Sequence, residues 1–75
     1  MHIHGHRSIS GVIDAIDINR REVYVKYEGA LVQCKFEAKS KIKDFTVGDE
    51  VFVSGDGIIL EGHIIRIYAR MAYKL

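Results

Sequence analysis

Apolar and polar residues alternate most clearly between Glu22 and Phe36. The runs Glu22-Val23-Tyr24-Val25-Lys26-Tyr27 and Ala30-Leu31-Val32-Gln33-Cys34-Lys35 flank a Glu28-Gly29 pair, the written form of a β-hairpin with a two-residue turn. With the turn placed there, Tyr27 faces Ala30, Val25 faces Val32 and Val23 faces Cys34. The opposite face pairs Lys26 with Leu31, Tyr24 with Gln33 and Glu22 with Lys35. A slip of one residue would exchange the two faces, so the register is well specified. The first face predicts a core and the second a surface that meets a ligand.

The same pattern extends along the chain with interruptions. Ile9, Gly11 and Ile13 keep one phase and Ile16 and Ile18 the opposite one, which predicts a strand with a β-bulge near Asp14-Ala15. Asn19-Arg20-Arg21 reads as a short polar connection. After Phe36 the period of two is lost. Ala38, Ile42 and Phe45 then sit at helical spacing, predicting one short helical turn or an irregular plug, with Ile42 and Phe45 capping an open barrel end. Val47-Gly48-Asp49 reads as a turn into a strand with Val51 and Val53 inward and Phe52 outward. Gly55-Asp56-Gly57 is the expected next turn and Gly62 a bulge or bend. The last strand, Ile64 to Ala69, sets Ile65, Ile67 and Ala69 inward and Arg66, Tyr68 and Arg70 outward. Residues 1–8 read as a His-containing extension, 9–70 as the barrel and 71–75 as a tail.

Composition narrows the class. Seventy-five residues make one small domain whose core must be compact. No apolar run reaches the roughly 18 residues that span a bilayer, and residues 1–6 have no apolar signal region. We expect no membrane partner. A lone Cys34 on the core face suits a reducing cytoplasm. Net charge is only +1, but residues 20–43 carry +4 and 62–75 carry +3, against −5 over residues 44–61 and −1 over 1–19. Such blocks become patches only where the fold gathers them.

The order of elements resembles the OB-fold, the oligonucleotide/oligosaccharide-binding domain, over roughly residues 9–70. The residues that carry the likeness are Gly11-Val12-Ile13-Asp14-Ala15-Ile16-Asp17, the Glu22–Phe36 hairpin and Phe45-Thr46-Val47-Gly48-Asp49-Glu50-Val51. It implies an all-β, small five-stranded Greek-key barrel with a short helical turn between strands 3 and 4. It also implies a binding platform on strands 2 and 3 with Tyr24, Lys26, Gln33 and Lys35. The loops closing over the ligand would be Asn19-Arg20-Arg21 and Ser54-Gly55-Asp56-Gly57.

The residue types on that platform suit nucleic acid: a ring for stacking beside cations that neutralise phosphate. The candidate binding residues are Arg20, Arg21, Tyr24, Lys26, Gln33, Lys35, Arg66, Tyr68 and Arg70. Each has a plainer reading. Tyr24 would pack on Gln33 and Leu31, Arg20-Arg21 would be a solvated turn, and the Arg66/Tyr68/Arg70 stripe an outer face covered by Arg stems. His2, His4 and His6 alternate as metal ligands on a strand would, but read more simply as an extended terminus; we assign no metal and no cofactor. No catalytic elbow or phosphate loop is present, so an enzyme is not expected. Two functions remain: a nucleic-acid-binding module for single-stranded DNA or RNA, or a structural barrel that binds proteins or self-associates through Phe52, Tyr68 and the tail.

Overall fold

The alternating runs fold as strands. The computed structural model describes residues 2–75, with side chains from Ile3 onward. Among the described residues the strands are β1 (His2–Asp17), β2 (Glu22–Tyr27), β3 (Ala30–Lys35), β4 (Glu50–Leu60) and β5 (His63–Lys74), with a 3₁₀ turn at Lys39–Lys41. They close into a barrel in the order β1-β2-β3-β5-β4. Neighbours are antiparallel except β3 and β5, which run parallel. This is the expected five-stranded, OB-like barrel with its helical turn after the third strand.

All six pairs of the β2–β3 hairpin follow the alternation, from Glu22–Lys35 to Tyr27–Ala30. Glu28 and Gly29 both adopt positive φ, 49° and 81°, which gives a two-residue turn the twist the strands require. Asp14 is the bulge: the β1–β2 register passes from Ile13–Val25 to Ala15–Tyr24 and leaves it unpaired. That kink lets β1 pair with β4 over its first half and with β2 over its second. Ile9, Ile13, Val23, Val25, Val32, Cys34, Val51, Val53 and Ile67 fill the interior. Burial of each large aliphatic contributes about 1.5–3 kcal/mol, enough to hold a small closed core together. Ile42 and Phe36 seal one end, with Phe45 edge-to-face on Phe36 at 6.2 Å.

Four expectations are corrected. Gly55-Asp56-Gly57 is not a turn but the middle of β4, and the turn is Glu61-Gly62, with φ of 53° and 80°. The glycines serve closeness instead. A Cβ on Gly55 would lie 2.0 Å from the Tyr68 carbonyl oxygen, as one on Gly11 would from that of Lys26. Because β4 continues to Leu60, it needs a partner there, and residues 2–8 supply it as strand rather than extension. Residues 71–74 likewise belong to β5, paired with Val51 to Ser54, rather than to a tail. Finally, a register shift at Ile58/Ile59 turns Ile65 outward and Ile64 towards the core. Phe52 does point outward, and it stacks on Tyr73 at 5.1 Å. No helix among the described residues is long and apolar enough to cross a membrane.

Gly55→Ala should therefore lower stability by about 1–3 kcal/mol, because the new methyl meets main chain that cannot move aside. At Gly57 the added carbon would meet Arg7 Cγ at 2.7 Å and Cβ at 3.0 Å, a milder approach than the one to main chain at Gly55, so Gly57→Ala should cost less. Thermal melts of both variants check the ordering; equal losses would refute the close-approach account.

Candidate functional site

What the outer face of the hairpin meets is decided by β5. Parallel pairing sets Gln33 beside Arg66, Cys34 beside Ile67 and Lys35 beside Tyr68. With the hairpin register, two rows cross three strands: Tyr24–Gln33–Arg66 and Glu22–Lys35–Tyr68. The two stripes found separately in the sequence thus form one surface.

Glu22 lies at its centre and is only 4% exposed. A carboxylate so far from water needs compensating partners. The Tyr24 hydroxyl donates to its Oε1 at 3.0 Å, and Gln33 Nε2 donates to the Tyr24 oxygen at 3.1 Å. Arg66 Nη2 donates to Glu22 Oε2 at 3.4 Å, with Lys35 Nζ 4.0 Å from the same oxygen. The Arg66 guanidinium carbon sits 5.1 Å from the centre of the Tyr68 ring, and Nη1 donates to the Tyr68 hydroxyl at 3.4 Å. Both Arg66 bonds are long for N–H···O, and its buried Nε finds no partner among the described residues. Charge and ring contact hold this guanidinium more than tight hydrogen bonds do. Tyr68 remains 41% exposed, the more accessible of the two rings.

Beyond this network β3 and β5 part, leaving an open groove of about 590 Å³. Arg21, Lys35, Tyr68 and Arg70 line it together with Glu37 and Asp56. Arg21 is held there by its own backbone. Its φ is 57°, its carbonyl accepts from Phe36 N–H at 2.8 Å, and its Nε donates to the Phe36 carbonyl at 3.2 Å. Arg20 stays in the turn, 3.9 Å from Asp17, while its carbonyl accepts a hydrogen bond from Lys35 Nζ. Lys26 lies one row away between Val12 and Leu31 and joins none of these contacts.

Of the nine candidates, Tyr24, Gln33, Lys35, Arg66 and Tyr68 are brought together, and Arg21 and Arg70 adjoin them across the groove. Arg20 and Lys26 stand at the margin. The expected second loop, Ser54-Gly55-Asp56-Gly57, is strand, and the connection after β4 is a two-residue turn too short to fold over a ligand. Glu22 was missed as the organiser. Its signal was an acid two residues before Tyr24 on the outward phase, facing Lys35.

Two other groups of residues fall outside this network, the first bordering it through Asp56, which pairs with Tyr68 on one side and His6 on the other. His4 and His6 project outward from β1 towards Asp56, with His4 Nδ1 3.6 Å from Asp56 Oδ2, while the His2 side chain lies outside the described residues. Among the described residues, no three metal-ligating side chains converge. Cys34 is fully buried, and burial pushes its thiol up from 9.0 to about 12.

No family model matches this chain, and no curated protein matches it. Among solved structures it is similar to residues 6–88 of apo-CusF from Escherichia coli, with a TM-score of 0.57 and 13% identity over 92% of both chains. A likeness at that identity speaks for the fold alone.

The Cys34 environment has a pH signature. Its pKa is higher folded than unfolded, so its contribution to stability is intact below about pH 9 and is lost progressively as pH rises towards about 12. Urea midpoints across that range should fall further for the wild type than for Cys34→Val. Parallel loss in both would remove Cys34 as the cause. At neutral pH the thiol should react with Ellman's reagent only on unfolding.

Proposed function

We propose that the outer face of β2, β3 and β5 binds single-stranded nucleic acid, DNA or RNA, with little sequence preference. The observation that supports this most is the two-row lattice, in which Tyr24, Tyr68, Lys35 and Arg66 share one face. A second ring beside Tyr24 matters because stacking on an aromatic contributes about 1–3 kcal/mol per base and tolerates any base. Tyr68 offers the exposed ring, while Tyr24, tethered through its hydroxyl, presents a fixed one. Gln33 orients Tyr24, and Lys35 and Arg66 neutralise phosphates. Arg21 and Arg70 extend the cationic track into the groove, and Arg20 and Lys26 add attraction at the rim. Glu22, Glu37 and Asp56 offset part of this charge, which keeps the affinity modest. The buried, unpaired Cys34 supports a reducing, cytoplasmic setting.

A self-associating barrel is the second reading. It is favoured by the Phe52–Tyr73 stack next to exposed Met71 and Leu75.

Fluorescence anisotropy with labelled oligothymidylate separates the two. Binding should weaken between about 50 and 200 mM salt, with a slope near −0.7 per phosphate contacted. Tyr68→Ala should reduce affinity about five- to a hundred-fold, and Arg66→Ala should flatten the salt dependence by about one contact. Absence of binding at low salt, with an oligomer in sedimentation that Phe52→Ser dissociates, would establish the second reading instead.

A further inference from the structure

β5 has a partner along its full length on one side only. On its β4 side it is paired from His63 to Lys74. On the other, among the described residues, it meets β3 at Arg66, Ile67 and Tyr68 alone. The connection after β3 turns away, and among the described residues it makes no main-chain hydrogen bond to residues 69–74. The Leu75 N–H donates to the Glu50 carbonyl. Alternation in an antiparallel ladder then turns the N–H and C=O groups of Ala72 and Lys74 away from β4. These donors and acceptors form an open sheet edge, a ready template for an added strand.

The edge also borders a channel. The 590 Å³ groove continues past Tyr68 into a second hollow of about 260 Å³, with Phe36, Glu37 and Lys41 as the far wall and Ala69 to Ala72 as the near one. Phe36, Ala69 and Met71 give it an apolar lining. Arg21, Lys35, Lys41 and Arg70 outnumber Glu37 and Asp56 around it. The charge argues against a second copy of this chain as occupant. β5 carries Arg66, Arg70 and Lys74 and no acid. Two such edges paired antiparallel about Ala72 would set Arg70 opposite Lys74 twice, and like charges across a ladder destabilise it. A nucleic-acid backbone lacks the alternating N–H and C=O groups that would complete the ladder.

We infer that the open edge of β5 from Ala69 to Lys74 takes an extended acidic peptide of another protein as a sixth strand. The peptide's main chain pairs with Ala72 and Lys74, and its carboxylates meet Arg70 and Lys41. The mode is strand addition, in which the ladder supplies affinity and flanking side chains supply selectivity. This site adjoins the stacking face of β2, β3 and β5 and shares Arg70 with it, but its main-chain donors and acceptors at Ala72 and Lys74 take no part in stacking.

The test is a titration of ¹⁵N-labelled protein with the acetylated, amidated peptide Glu-Val-Glu-Val-Glu-Val-Glu. The Ala72 and Lys74 amide signals should shift and their hydrogen exchange should slow about tenfold or more. The effect should vanish with a peptide N-methylated at alternate amides and with the Lys-for-Glu peptide, and Arg70→Glu should weaken it several-fold. Ala72→Pro removes one edge donor without touching the β4 ladder; should that variant not fold, the N-methylated peptide interrogates the same bond from the other side. Unmoved amides at millimolar peptide, equal binding of the N-methylated peptide, or protection of these amides by oligothymidylate instead would each overturn the inference. Oligonucleotide binding to Tyr68 and Arg66 is read by anisotropy, so the two proposals fail independently.

Discussion

Three residue pairs close this barrel: Gln33 with Arg66, Cys34 with Ile67, and Lys35 with Tyr68. Every other strand contact is antiparallel, and two of those neighbours are joined by two-residue turns. The parallel seam has no local turn to position it. It depends on Cys34 and Ile67 both entering the core, where each is fully buried. Once that register holds, their neighbours must face out together, because side chains alternate across a sheet. The candidate surface is thus a by-product of how the interior is packed.

The same seam explains why a carboxylate sits where water barely reaches. On an isolated hairpin Glu22 would stand in water; it is covered once β5 packs alongside β3. Here β5 brings Arg66 within 3.4 Å while β3 brings Lys35, and Tyr24 supplies a neutral donor. Removing one partner of so enclosed a group costs more than the pair itself is worth. The network fixes Tyr24 and steers Arg66 over Tyr68, so the electrostatics of the interior fold-back shape the exposed surface.

Much of this was legible along the chain, and the rest was hidden for identifiable reasons. The Glu28-Gly29 hairpin, the Asp14 bulge and the Ile42 plug follow from local alternation and its breaks, which depend on near neighbours. The second hairpin carried the same dipeptide, Glu61-Gly62, but Gly55-Asp56-Gly57 offered a stronger-looking turn six residues earlier. Those glycines answer instead to the approach of the Tyr68 carbonyl and the Arg7 stem, contacts that no short-range pattern reports. That one misreading shortened β4, and it cut residues 2–8 and 71–74 from the sheet. Within the candidate site, residue types were readable but their grouping was not. Whether Arg66 and Tyr68 would join Tyr24 depended on a crossover of some thirty residues, and the central role of Glu22 appears only once β5 is in place.

β4 is flanked along nearly its whole length, by β1 from His2 to Val12 and by β5 from His63 to Lys74. One partner lies far upstream along the chain and the other follows after a two-residue turn, so its hydrogen bonds close loops of very different size. During synthesis Val51 and Val53 must wait beside an unfilled lane until β5 has left the ribosome. How quickly β5 becomes available, more than the finished barrel's stability, governs how long that lane can capture a wrong partner.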